Sequence, residues 1–202
     1  MQGGAVRDDG HPLTLLELPE GLGRSQDAVS FGLDISAAPV PQRRYAAELC
    51  QVSYVYNDVR FIFGQRNISN EGLNSALVVR MSPLATGQLL KSIEEMSSPG
   101  LEAIAKTMGI SATPLMPISQ QPAQMANVVA NLVAIAVSGY ETCIDFYHAS
   151  AFAMRMAADT KTFSVEPIVR VDIQTSIFLS MVQELQTIVK SFPRLPNGNS
   201  HG

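Results

Sequence analysis

Hydrophobic and polar positions alternate with period two in several stretches of this chain and switch to helical spacing in a few others. Val29–Ser36 (VSFGLDIS) alternates and predicts a first strand. Cys50, Val52, Tyr54 and Tyr56 form one apolar face while Gln51 and Ser53 point the other way. Val59, Phe61 and Phe63 repeat the pattern beyond Asn57-Asp58, a tight-turn pair. Ser75–Met81 predicts a fourth strand. Ser82-Pro83 then reads as an N-cap followed by proline at the first helical position, opening a helix with Leu89, Leu90, Ile93 and Met96 on one side. Ser97–Gly100 stops it.

A second, similar order follows. Leu101–Met108 predicts a short helix ended by Gly109. Thr113–Gln124 carries three prolines, and within it Leu115–Ser119 stands where a first strand would be, limited by those prolines to an edge. Val133, Ile135 and Val137 then take the places of Cys50, Val52 and Tyr54, with Ser138-Gly139 as the turn. An offset of 83 residues carries Leu49–Gly64 onto Leu132–Tyr147 and gives six identities between Leu33 and Gly64, where chance would give roughly two. Beyond the longer loop His148–Lys161, whose Ala151–Ala158 part has helix-forming composition, an offset of 90 aligns Val78–Met81 with Ile168–Val171. Asp172 is expected to cap a last helix bearing Ile173, Ile177, Met181, Leu185 and Ile188 on one stripe.

The expected fold is therefore α+β: two tandem β4α repeats, antiparallel sheets with helices packed on one face, related by a pseudo-two-fold. Residues 1–28 read as a flexible N-terminal arm with one short apolar segment at Leu13–Leu18. Residues 29–97 form the first repeat, 98–112 a linker helix, 113–192 the second repeat, and 193–202 a flexible tail.

Composition narrows the function classes. A net charge of -4 and a pI near 5.3 lack the basic stripe of a nucleic-acid binder. No apolar run approaches the length of a membrane span, and MQGGAVRDDGHPL lacks the layout of a secretory signal, so no membrane insertion and a cytoplasmic location are expected. Cys50 and Cys143 lie inside strands and read as buried reduced thiols. Without a secretion signal, the acceptor pattern Asn67-Ile68-Ser69 carries no meaning.

The run RRYAAELCQVSYVYNDVRFIFG, continued by ALVVRMSPLATGQLL, resembles a small bacterial family of unknown function, the domain of unknown function thirty-four sixty-seven. Tyr45, Phe61, Phe63, Arg80, Ser82 and Pro83 match its pattern of a tyrosine entry, an aromatic-rich strand and an Arg…Ser-Pro step into a helix. Glu48 stands where the family has an entry Asn, which the second copy keeps as Asn131-Leu132; Asp172 stands near the second copy's missing Ser-Pro step. The resemblance implies a fold and brings no activity. The β4α order also looks like the SecB-type export chaperone fold, an analogy of topology alone.

Little chemistry stands out. No phosphate-cradling glycine loop, zinc-type spacing or nucleophile elbow occurs, and His11, His148 and His201 are scattered. Asp145, His148 and Ser150 are neighbours in sequence, but Asp145 and His148 would face opposite sides of a strand. No cofactor and no metal are expected. Arg80 and Arg170 are the charged feature both copies share: either a symmetric pair of anion or carboxylate contacts, or arginines on the solvent face of a strand or bridging to a nearby acid, with the second favoured. Met116, Met125, Met154, Met156 and Met181 crowd the second half. Met181 fits a core stripe, while Met154 and Met156 are the candidates for an adaptive contact. The expected function is a non-enzymatic protein-interaction or assembly module, a homo-oligomer taking a protein partner. The alternatives are a SecB-like holdase for unfolded or nascent polypeptides, and a small-molecule enzyme using Arg80 or Arg170.

Overall fold

The structure, a computed structural model, describes residues 13–17, 30–34, 38–67, 73–96, 100–107, 109–115, 118, 122–153 and 164–192. The elements in chain order are β1 (Leu13–Glu17), β2 (Ser30–Asp34), β3 (Arg44–Ala47), β4 (Leu49–Val55), β5 (Asp58–Arg66), β6 (Leu73–Met81), α1 (Pro83–Met96), α2 (Gly100–Thr107), β7 (Gln124–Val129), β8 (Leu132–Ser138), β9 (Glu141–His148), β10 (Glu166–Gln174) and α3 (Thr175–Val189). They form an α+β fold with two four-stranded sheets, ordered β4-β5-β6-β7 and β3-β10-β9-β8. The helices of both halves bury one side into a shared core.

Each sheet is an antiparallel meander from one half of the chain, finished by a strand from the other half. β7 joins β6 in parallel, with Arg80 opposite Val129. β3 joins β10 in parallel, with Arg170 opposite Arg44. The parallel edges depart from the all-antiparallel expectation, and they follow from two long bent strands. β3 runs into β4 at Glu48, and β7 into β8 at Ala130-Asn131, so each bent strand serves one sheet with its first part and the other with its second. Sheets that share strands at their corners close on themselves, which leaves fewer open edges.

The two bends are pinned alike. Glu48 N–H donates to the Gly64 carbonyl (2.9 Å), and Asn131 N–H to that of Tyr147 (3.0 Å). The side chains then replace the ladder bonds lost at the break. Arg66 N–H donates to Glu48 Oε2 (2.8 Å) and Ala149 N–H to Asn131 Oδ1 (2.8 Å), while Asn131 Nδ2 donates to Ala149 O (2.7 Å). Leaving such backbone donors unmet would cost on the order of 1–3 kcal/mol each.

Three expected elements move. Within Val29–Ser36 the described residues Ser30–Asp34 form β2, which among the described residues pairs with β1 alone, in a separate antiparallel sheet; the short β3 is the strand that enters a four-stranded sheet. In the second half that position belongs to β7 rather than to Leu115–Ser119, of which Leu115 and Ile118 are described and lie outside regular structure. Asp172 lies within β10 and caps nothing: the N-cap of α3 is Gln174, with no side-chain cap. By contrast Ser82 does cap α1, its Oγ accepting from Ala85 N–H at 3.2 Å. Of the Ala151–Ala158 segment, Ala151–Ala153 is a helical turn and the rest lies outside the described residues, as does the tail 193–202.

One core spans both halves. Phe61 and Phe63 of β5 meet Phe146 of β9 at ring-centroid distances of 6.2 and 6.0 Å, tilted as aromatic rings prefer. Ala85, Leu89 and Ile93 of α1, and Ile177, Phe178, Met181 and Leu185 of α3, close around the same cluster. Among the described residues no helix is long and apolar enough to cross a membrane.

Candidate functional site

Where β3 breaks into β4, the chain cannot pack flush against the start of α3, and a cleft of about 500 Å³ remains. Its walls include Glu48, Cys50, Arg66, Gln174 and Ile177, with Thr113–Leu115 across from them. That far wall is tied down: Thr113 N–H donates to the Ser176 carbonyl (3.0 Å), and Ser180 Oγ donates to the carbonyl of Thr113. Inside, one oxygen of Glu48 already accepts from Arg66 N–H. The Cys50 thiol is fully buried, and burial pushes its pKa far above the ordinary thiol value, so it stays protonated and unreactive.

The outward face of the β3-β10-β9-β8 sheet carries paired charges. Arg170 and Asp145 sit opposite each other across β10 and β9, and Arg170 binds the carboxylate with both Nε and Nη2 at 2.6 Å. Asp145 is buried, and the hydroxyl of Tyr147, also buried, approaches its Oδ2 at 3.5 Å. The Asp145 bond holds the Arg170 guanidinium pKa above its already high usual value. One rung along, Asp172 bridges Arg44 (3.2 Å) and accepts from Cys143 Sγ (3.0 Å). Cys143 is thus half-buried on the polar side, against the expectation of two buried thiols; both cysteines are free.

Arg80, on the other sheet, pairs with Asp58 through Nε (2.8 Å) and Nη2. It is not the counterpart of Arg170. Register matches Phe61–Val79 to Ile144–Val171, so the offset is 83 for β4 and β5 but 92 for β6 and α1. That places Asp172 in the position of Arg80, and Arg170 in that of Val78. Both arginines instead follow the other reading, each bridging to an acid. Asp145 is committed to Arg170 and not to His148, while Ser150 Oγ accepts from Ala153 N–H. Met154 and Met156 lie outside the described residues. Met181 is buried in the core as its stripe implies. No group of three or more His, Cys, Asp and Glu side chains among the described residues is arranged to hold a metal.

One exposed feature was not singled out from the sequence. β7 carries Met125 (60% exposed), Asn127 and Val129 (52% exposed) on its outward side, and among the described residues its far edge has no strand partner. The corresponding edge of β3 is blunted, because Gln65 Nε2 donates to the Ala46 carbonyl (2.9 Å) and Arg44 adds a charge. The signal in the sequence is the run Gln124–Val129, strand-like in length and free of charge, with Met125 and Val129 flanking Asn127. No protein-family model and no curated protein matches this chain.

Proposed function

We propose that the protein is a non-enzymatic assembly module that pairs with a second copy of itself through the open edge of β7. The observation that carries this reading is an edge strand without a strand partner among the described residues, whose exposed side chains Met125, Asn127 and Val129 carry no charge. Exposed strand edges of this kind recruit further strands. Pairing two β7 strands antiparallel about Asn127 sets amide against amide and Met125 against Val129 of the second copy. No like charges meet in that arrangement, and the two sheets become one. A symmetric contact of this kind is the commonest way for one chain to form a closed dimer.

Light scattering on the purified chain tests it. The expected mass is twice 21.8 kDa at about 100 μM, falling to 21.8 kDa in Val129→Lys and Met125→Lys, which should weaken association at least about tenfold while leaving the fold intact. A wild-type chain that stays at 21.8 kDa at that concentration contradicts the proposal. A mass that grows only with a reduced, unfolded client would favour the holdase reading instead.

A further inference from the structure

Arg60 of β5 and Arg80 of β6 are direct cross-strand partners on the outward face of the β4-β5-β6-β7 sheet. Like charges placed so destabilise a sheet unless something answers them. The acid within reach, Asp58, is taken by Arg80. Arg60 has no ion pair among the described residues, and its Nε–H is buried without an acceptor. On the same rung, Ser53 faces Arg60 from β4 and Val129 faces Arg80 from β7. The next rung, Gln51, Ile62, Val78 and Asn127, is uncharged, so nothing there balances the excess positive charge.

We infer that Arg60 and Arg80, with the Ser53 hydroxyl beside them, form a site for an oxyanion group, a carboxylate or a phosphate, held between the two guanidinium forks. Guanidinium donors suit planar or tetrahedral oxyanions, and Asp58 fixes the direction in which Arg80 presents its remaining N–H groups. The site does not depend on the β7 contact, and its readout is separate from mass.

The test follows the arginine Nε–Hε resonances of the full chain during titration with inorganic phosphate and, separately, with the peptide acetyl-(Glu-Thr)3-amide. The expected result is a saturable shift at Arg60 and Arg80 while Arg170, already held by Asp145, stays still. Arg60→Gln should weaken the effect at Arg80 about tenfold. Arg60→Lys, which keeps the charge but not the fork, should weaken it less and serves if the Gln variant does not fold. Saturation at lower concentration by phosphate points to a free anion, and by the peptide to an acidic segment of a partner. No shift up to about 50 mM of either probe overturns the inference. So do equal shifts at all arginines, or an effect at Arg80 that the Arg60 variants leave unchanged.

Discussion

Single side chains show how far a two-residue period can be read and where it stops. In β9 the alternation puts Thr142, Ile144 and Phe146 inward and Cys143, Asp145 and Tyr147 outward, yet Asp145 and Tyr147 are as buried as many core residues. With both faces covered, the sequence pattern could not tell which side Cys143 took. Its environment is specific. The hydrogen bond to Asp172 and then burial push its thiol up to about 11 from an ordinary 9. The thiol therefore stays protonated at neutral pH. Asp172→Asn should let the pKa fall and speed iodoacetamide labelling of Cys143 at pH 8 by about tenfold, followed by mass spectrometry. An unchanged rate would mean that Asp172 does not control this thiol. The pairing of Arg80 with Arg170 was misread for another reason. The two stretches look alike over four residues, whereas strand register sets Val79 opposite Phe61 and Val171 opposite Ile144, a long-range pairing that a local comparison does not record.

At the scale of elements, strands β4, β5, β6, β8 and β9 and helix α1 were legible because each has an apolar face at the right period and a turn or cap at its end. β3 was not: four residues, Arg-Tyr-Ala-Ala, are too few and too mixed to show a pattern. The start of α3 was misplaced because the helix has no cap of its own. It is fixed by the β8–β9 turn, where Thr175 N–H donates to the Tyr140 carbonyl (2.8 Å) and Thr175 Oγ1 to that of Gly139 (2.7 Å). The first hairpin turn falls at Tyr56-Asn57, one residue before Asn57-Asp58, and both residues have left-handed backbones (φ 51° and 62°). Tyrosine is poorly suited to that conformation, and Tyr56 is 95% exposed, so it gains little from packing. Tyr56→Asn should therefore stabilise the protein by roughly 0.5–1 kcal/mol in urea unfolding. A loss of stability would show that the ring contributes where it stands.

At the scale of the whole molecule, reading two successive units gives the α+β class and the two four-stranded sheets but not the exchange of strands between them. No local pattern records which sheet a strand joins, since β3 and β7 are set by long-range parallel pairing. The exchange has an energetic consequence. Each half lends a strand to the other, and Phe61, Phe63 and Phe146 share one core, so neither half can keep its sheet alone. Thermal unfolding should be one cooperative transition, with calorimetric and van't Hoff enthalpies in agreement. Two separated transitions would contradict the interlock. The same exchange delivers β7 to the outer edge of a sheet, where Met125, Asn127 and Val129 face solvent, and assembly through that edge is the central claim. Amide hydrogen exchange measured over a range of protein concentrations tests it most directly. Protection of Gln124–Val129 should rise with concentration in the wild type and not in Val129→Lys. Exchange in β7 that is equally fast at every concentration, or a dimer in which β7 stays unprotected, would contradict it.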